Sequence, residues 1–185
     1  MTGSTQATRA SGRGHIALRS LALVALAALA GCSGFGGRQN SYTCPATTTV
    51  PDLQTLVTLV PGPNGATIQS SGRLNSVTAT CDREGENGVV SKLTVEFAGL
   101  RTTPAVSRLD LPYFVAVADA NGTILGKQQF TMTLAFEPNA PVVKANDNIT
   151  VHLPLKNAQL GNVYTLVVGF QLNQSQLDYN RAHLQ

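Results

Sequence analysis

Apolar and polar residues alternate with a period of two along four stretches of the chain. Such alternation is typical of a β-strand that buries one face and exposes the other. It predicts strands over 89–97, 130–136, 149–155 and 164–172. Three further stretches fit the pattern less regularly, namely 53–60, 74–82 and 112–119. The last of these is apolar on both faces, as a central strand would be.

The intervals between these stretches are rich in Gly, Pro and Asn, and predict turns at 61–65, 85–88, 121–122 and 146–148. Asn121-Gly122 is a strong hairpin signal, because both residues tolerate positive φ. Short strands separated by such turns predict an all-β fold, an antiparallel β-sandwich that is immunoglobulin-like in architecture. The chain has no Trp, and Cys44 and Cys81 lie near the first strands, so the buried Trp and the inter-sheet bridge of antibody domains are not expected.

The start of the chain has a different composition. Its first 32 residues contain Arg9, Arg13 and Arg19 but no acidic residue, and an apolar run occupies 21–30. A basic segment followed by an apolar one is typical of a secretory signal peptide. A membrane-spanning helix needs about 20 apolar residues, and this run is shorter. The pattern therefore predicts a signal peptide that is removed rather than a permanent span.

The apolar run ends in Leu29, Ala30, Gly31 and Cys32, which resembles the lipobox of bacterial lipoproteins. The resemblance implies a diacylglycerol on the Cys32 thiol, cleavage before Cys32, and a further acyl chain such as palmitate on the new amino group. Two or three chains anchor a protein stably where one would not. The alternative is an ordinary secretory signal with a chance cysteine. In that family an Asp after the cysteine marks inner-membrane retention, so Ser33 implies the outer membrane, periplasmic side, rather than the inner membrane.

Removal of residues 1–31 changes the charge of the protein. Three of the 13 Lys and Arg residues lie in the leader, whereas all 10 Asp and Glu residues follow it. The mature chain is therefore close to neutral, and its composition indicates neither a nucleic-acid groove nor a polybasic membrane patch.

The chain divides into a signal peptide (1–31), a lipidated tether (32–43), a β-sandwich domain (44–172) and a C-terminal tail or short helix (173–185). The tether is predicted from its Gly, Ser and Asn content. If Cys32 carries lipid, Cys44 and Cys81 are left as a pair in an oxidising compartment, which predicts a disulfide that fastens the start of the domain onto an early strand. Two free thiols or a redox pair are the alternatives.

The last residues leave the alternating pattern. Leu177 and Arg181 stand at helical spacing after Ser175, a possible N-cap, so a short helix and a frayed tail both fit. With the Cys44-Pro45 start and the LPYFVAV segment over 111–117, this ending loosely resembles a group of small uncharacterised lipoproteins from alphaproteobacteria. That resemblance implies no activity.

Candidate catalytic residues are sparse. His152 lies on the polar side of a predicted strand, which favours a solvated surface histidine over a general base or metal ligand, and His183 lies in the tail. The sequence contains no zinc-binding, hydrolase-elbow, P-loop or dinucleotide motif. We therefore expect a protein that is not an enzyme and has no cofactor.

Asp82, Glu84 and Glu86 recur at every second residue before a Gly and form the sharpest polar cluster. Carboxylates at this spacing are a weak calcium candidate, because calcium takes six to eight oxygen ligands. Asn87 stands where an EF-hand has glycine, and Leu93 where it has its bidentate Glu, so a solvated hairpin is favoured. No other metal site is indicated.

A glycosidase would need two acids facing one cleft. The sequence does not place the candidate carboxylates relative to one another: Glu96, Asp110, Asp119 and Glu137.

Three hypotheses about function follow. The first is a membrane-anchored, non-catalytic interaction or structural module of the cell envelope, which docks another envelope protein, for example by strand addition. The second is a periplasmic binder of a small ligand or glycan, with a pocket rimmed by Tyr113, Tyr164 or Tyr179. The third is a calcium-dependent protein or hydrolase centred on residues 82–86.

Overall fold

The structure is a computed structural model that describes residues 41–63 and 65–183. The predicted signal peptide, Cys32 and most of the predicted tether lie outside the described residues. In the described part of the chain, no helix combines the length and the apolar character that a membrane span requires.

Eight strands account for most of the described chain. Their bounds are β1 Ala46–Thr49, β2 Thr55–Gly62, β3 Gly65–Glu84, β4 Gly88–Arg101, β5 Arg108–Ala118, β6 Ile124–Ala135, β7 Val142–Pro154 and β8 Thr165–Phe170. Two 3-10 turns occupy Pro51–Leu53 and Ala158–Val163, and one helix, α1, spans Gln174–His183.

The strands form two four-stranded sheets. Sheet A has the order β1-β8-β5-β6, and sheet B has the order β2-β3-β4-β7. All neighbouring strands are antiparallel except β1 and β8, which are parallel. The predicted all-β sandwich is thus confirmed. Its strand order differs from the ABED and CFG order of immunoglobulin constant domains, because β2, β3 and β4 form a continuous meander.

The core lies between the sheets and follows the alternation seen in the sequence. In β4 the apolar residues of the 89–97 stripe are buried, whereas Lys92 faces solvent. Aromatic rings fill the centre: the Phe97 ring packs edge-on against Tyr113 with centroids 4.9 Å apart, and Phe130 stacks on the other side of Tyr113 at 5.4 Å. These rings come from both sheets, so they tie the sheets together.

A hydrogen bond crosses the core beside these rings. The Tyr113 hydroxyl, on β5 of sheet A, donates to Asp147 Oδ2 on β7 of sheet B at 2.7 Å. Tyr113 is fully buried, and desolvation, followed by the bond to Asp147 and the charge of that carboxylate, raises the pKa of Tyr113 far above its ordinary value. The carboxylate thus points inward from a strand at the border of sheet B.

Two sequence-based expectations about turns and caps are wrong. Residues 146–148 were expected to form a turn but lie within β7, where Asp147 bonds to Tyr113 and Asn148 Oδ1 accepts a hydrogen bond from Thr94. These contacts outweigh the low strand propensity of Asn and Asp.

The cap of α1 is Asn173 rather than Ser175, since Asn173 Oδ1 accepts from the Gln176 amide and Gln176 Oε1 accepts in return from the Asn173 amide.

The turn at Asn121-Gly122 forms the expected hairpin. Asp119 Oδ1 accepts hydrogen bonds from the amides of Asn121 and Thr123, and Gly122 has a φ of 79°. The second 3-10 turn connects the end of β7, beside the β3–β4 turn, to the start of β8, beside the β5–β6 turn. Residues 41–43 lie at this same end, because the Thr43 amide donates to the Ala158 carbonyl in that 3-10 turn. We call this the proximal end, and the opposite end, where β4 reaches Arg101, the distal end.

Helix α1 closes the outer edge of β2. Two side-chain amides one helical turn apart donate to strand carbonyls: Gln176 Nε2 to Val57 at 2.9 Å, and Asn180 Nδ2 to Thr55 at 2.7 Å and to Asp52 at 2.8 Å. Four helical residues rise about 6 Å, and two strand residues about 6.7 Å, so the two spacings match. The helix therefore supplies donors where a neighbouring strand would.

Replacement of Asn180 tests this contact. Asn180→Ala leaves two carbonyls without their donor, so we expect the free energy of unfolding to fall by about 1–3 kcal/mol. Urea denaturation measures the loss. Gln174→Ala is the matched control, because Gln174 is exposed on the same helix and bonds only to Asp178 among the described residues. Equal, small losses in both variants would contradict the assigned role of Asn180.

The Tyr113–Asp147 bond predicts a pH dependence. The folded-state pKa of Tyr113 is raised above its unfolded value of about 10, so its contribution to stability is complete below that pH and is lost as pH rises beyond it. Between pH 8 and pH 11 we therefore expect wild type to lose more unfolding free energy than Tyr113→Phe. Tyr179→Phe, a change outside the core, should lose as much as wild type. Parallel losses in all three proteins would refute the prediction.

Candidate functional site

The predicted disulfide is present. Cys44 and Cys81 are bonded, with Cα atoms 5.8 Å apart, and the bond fastens the start of the domain onto β3 as expected. It also links the two sheets, because Cys44 leads directly into β1 of sheet A whereas β3 belongs to sheet B. That second role was not expected from the position of Cys44 near the first strands.

The acidic cluster lies on the β3–β4 hairpin at the proximal end. Lys92 Nζ lies 3.4 Å from Asp82 Oδ2, and His152 Nδ1 lies 2.6 Å from Glu84 Oε1. Arg83 holds the turn by donating to the carbonyls of Gly85 and Glu86. Among the residues that the structure describes, no group of three His, Cys, Asp or Glu side chains is placed to hold a metal ion. Asp82 pairs with Lys92 and Glu84 bonds to His152, so these carboxylates engage separate side chains instead of converging.

The other candidate carboxylates lie on different parts of the sandwich. Glu96, on sheet B, accepts from Asn75, and Asp110, on sheet A, accepts from Thr133. Asp119 caps the β5–β6 turn at the proximal end, whereas Glu137 lies in the β6–β7 loop at the distal end. Their positions on separate surfaces do not give the paired geometry of a glycosidase.

The three tyrosines proposed to rim a pocket are also separated. Tyr113 is buried in the core, Tyr179 stacks on His183 in α1, and Tyr164 lies half-buried before β8. The three rings therefore do not rim one shared pocket.

Tyr164 instead borders an open groove at the proximal end, of about 270 Å³. The groove lies between the start of β6 and the end of β7, and we call it the proximal groove. Its walls are mainly apolar, and its polar side chains are those of His152 and Tyr164. The lining residues are Val117, Leu125, Gly126, His152, Leu153, Pro154, Leu155 and Tyr164. His152, bonded to Glu84 Oε1, and Tyr164 are the polar groups that this groove offers a ligand.

The outer edge of β6, a border strand of sheet A, is uncharged over residues 128–134. The Gln171 amide donates to the Pro112 carbonyl, and the Phe136 amide donates to the Ser107 carbonyl. Because hydrogen-bonded and non-bonded pairs alternate in an antiparallel ladder, the register Tyr113↔Phe130 makes Phe130 a bonded residue. The next residues on either side alternate with it, so their backbone N–H and C=O groups point away from β5. These residues are Gln129, Thr131 and Thr133.

These outward groups have no backbone partner within residues 41–63 and 65–183. The segment 128–134, QQFTMTL, has no charge, no Pro and no Gly, and is rich in residues that favour strands. Phe130 and Met132 point inward and are only half-buried, because sheet A ends there. An edge with these properties is a template for another strand.

The edge of β7, on the same side of the sandwich, has a different character. Its centre is Asn146-Asp147-Asn148, its Lys144 is exposed, and Asp147 points inward. Inward charge and edge lysines are devices that discourage strand pairing. Of the two neighbouring edges, β6 is thus the more receptive one.

One residue of the sequence, Pro112, already indicates where β5 loses a partner. Pro112 has no amide hydrogen, so a central strand can hold it only where its nitrogen faces no partner. In the structure this nitrogen faces the side of β5 on which β8 ends, since the last β5–β8 pair is Tyr113↔Phe170. Residues 108–111 therefore have a ladder partner on the β6 side alone, and β6 is the border strand of sheet A.

Arg101 is a buried cation that the sequence analysis missed. It lies at the distal end, only 6% exposed, and donates to the carbonyls of Pro104, Val106, Glu137 and Pro138. Its guanidinium also lies 5.1 Å from the Phe136 ring centroid. Its donors are engaged by two loops of the chain itself, so Arg101 has a structural role.

Comparison with known proteins assigns no family. No protein-family model matches the chain, and no curated protein matches it. Among solved structures, it is similar to the crystal structure of a DUF1425 family member from Shewanella sp. pv-4, with 18% sequence identity, 63% of this chain and 90% of that chain covered, and a TM-score of 0.32. A likeness of this size carries no argument about function.

Proposed function

We propose that this chain is a lipid-anchored, non-catalytic module of the cell envelope that holds a partner protein by strand addition along β6. The observation that carries the proposal is the open outer edge of β6, with its unpartnered backbone at Gln129, Thr131 and Thr133. An extended segment of the partner would satisfy these groups and become the fifth strand of sheet A.

The treatment of the other edges supports this assignment. The β2 edge is covered by α1 through Gln176 and Asn180. The second half of β3, which has no β2 partner, is crossed by the Cys44–Cys81 bond, and the Tyr42 hydroxyl donates to the Cys81 carbonyl. Because these other strand edges are covered, the open edge of β6 is the candidate site for binding a strand of a partner.

The half-buried side chains of β6 supply the apolar part of the interface. An added strand would lie over the border at which Phe130 and Met132 are only half-buried, and its inward residues would complete their burial. Main-chain hydrogen bonds would then give affinity, and the fit of those side chains would give specificity.

The proposed anchor is the diacylglycerol on Cys32, and the proposed location is the periplasmic side of the outer membrane. The Cys44–Cys81 bond supports an oxidising compartment. The separation of the candidate carboxylates and tyrosines supports a protein without a catalytic centre. A small-ligand function is the second candidate, and the observation that favours it is the proximal groove, with its apolar walls and the polar side chains of His152 and Tyr164.

A proline in β6 tests the docking edge. Thr131→Pro removes an outward amide without removing a β5–β6 hydrogen bond, so the domain should stay folded while capture of the partner from cross-linked native membranes falls about tenfold or more. The specific cross-linked band is quantified against wild type, and circular dichroism reports folding.

Thr150→Pro in β7 is the matched control. The Arg101 amide donates to Pro141, so by alternation the Thr150 amide also points outward, from the other edge. This variant should capture the partner as wild type does. Equal capture by Thr131→Pro and wild type, or loss in Thr150→Pro alone, would refute docking on β6.

Substitution of Cys32 tests the anchor. Cys32→Ser should move the protein from the membrane fraction to the soluble fraction without a change in melting temperature, because the Cys44–Cys81 disulfide is elsewhere. Fractionation reports the location, thermal denaturation the melting temperature, and intact mass measurement the lipid on wild type. Recovery of the variant in membranes, with wild type of unmodified mass, would overturn the anchor.

A further inference from the structure

Exposed large apolar side chains gather at the proximal end of the sandwich. Eight such side chains are exposed in the described part of the chain, and five of them lie at this end: Tyr42 (39% exposed), Ile124 (53%), Leu125 (58%), Leu160 (43%) and Val163 (40%). Single exposed apolar residues are ordinary, but a concentration at one end marks a surface that is covered by something.

The proximal groove connects these residues. Leu125 and Tyr164 share its walls, and Tyr164 directly follows Val163. The second 3-10 turn carries Leu160 towards the entering chain, where Thr43 Oγ1 donates to the Gln159 carbonyl. The apolar surface thus runs from the start of β6, past the groove, to the point where the chain enters the domain.

The position of that entry indicates what covers the surface. Cys32 precedes Ser41, the first described residue, by nine residues, which span at most about 32 Å when fully extended. The 14 residues of β4 alone run for about 46 Å from the proximal to the distal end. A lipid on Cys32 therefore limits the distance of the proximal end from the bilayer to about 32 Å, whereas the distal end, about 46 Å further along the strands, has a much looser limit.

We propose that the proximal end rests on the lipid bilayer, with Ile124, Leu125, Leu160 and Val163 in the interfacial layer. Tyr42 suits this position, because its ring is apolar and its hydroxyl is polar. This inference rests on the lipid anchor of the proposed function for its geometry, and it adds a second, non-covalent contact with the membrane. The β6 edge then stands upright on the bilayer and is accessible from the side.

Charge at this end selects the type of lipid. The turns carry four carboxylates, those of Asp82, Glu84, Glu86 and Asp119, against three permanent cations beside them, those of Arg83, Lys92 and Lys156, which leaves an excess of one negative charge. An acidic surface is repelled by anionic headgroups. The contact should therefore be made with zwitterionic lipid and be weakened by anionic lipid.

Tryptophan reporters test the orientation, since the natural chain contains no Trp. The mature chain with Cys32→Ser is mixed with phosphatidylcholine vesicles whose acyl chains carry bromine, a quencher of Trp emission. We expect Leu125→Trp to be quenched and blue-shifted, and Val142→Trp, exposed at the distal end, to be unaffected.

Paired serine variants test the energetics in the same unlipidated chain. Ile124→Ser with Leu125→Ser should lower partition into phosphatidylcholine vesicles about tenfold, because two apolar contacts are lost. Leu100→Ser with Val142→Ser removes a comparable exposed pair from the distal end and should leave partition unchanged. Addition of phosphatidylglycerol should weaken binding by wild type.

These experiments distinguish failure of the bilayer contact from failure of the lipid anchor on Cys32. Absence of vesicle binding, equal quenching at both reporters, or equal loss in the two serine pairs overturns the bilayer contact. None of these measurements requires lipidated protein, so they remain decisive if mass measurement shows Cys32 to be unmodified. Conversely, a confirmed lipid on Cys32 with no vesicle contact leaves the anchor intact and refutes the proximal surface.

Discussion

Every strand at the border of an open sheet exposes backbone groups that must be hydrogen-bonded, covered or defended. This constraint organises the sandwich. Helix α1 covers β2 with Gln176 and Asn180, the disulfide crosses the free half of β3, and β7 is defended by Lys144 and the inward Asp147. The outer edge of β6 has none of these devices along 128–134. The function that we propose follows from the open edge of β6.

The open edge requires a rigid support, since a sandwich that shears would not present a fixed register. Three links hold the sheets together. Tyr113 bonds to Asp147 through the aromatic core, Cys44–Cys81 joins them at the proximal end, and Arg101 gathers two loops at the distal end. Buried polar groups of this kind fix one arrangement when their partners are complete. A partner that adds a strand to β6 therefore meets a pre-organised template.

Alternation in the sequence predicted seven of the eight strands, because the burial of one face leaves a local signature. It did not predict β1, whose Ala-Thr-Thr-Thr stretch pairs with β8 through long-range contacts. Nor did it predict that 146–148 would lie in a strand, where the partner of Asp147 comes from the other sheet. The β6 segment was identified as a strand, but its place at the border depends on strand order. Local patterns do not encode strand order, and the open edge was therefore visible only in the fold.

Amide hydrogen exchange tests strand addition on β6 most directly. It is measured by mass spectrometry on the protein in its native membranes and again after purification. We expect the amides of Gln129, Thr131 and Thr133 to be protected in the membranes and to exchange freely in the purified protein, whereas Thr150 in β7 should behave alike in both. Equal exchange of the β6 amides in the two preparations would contradict it.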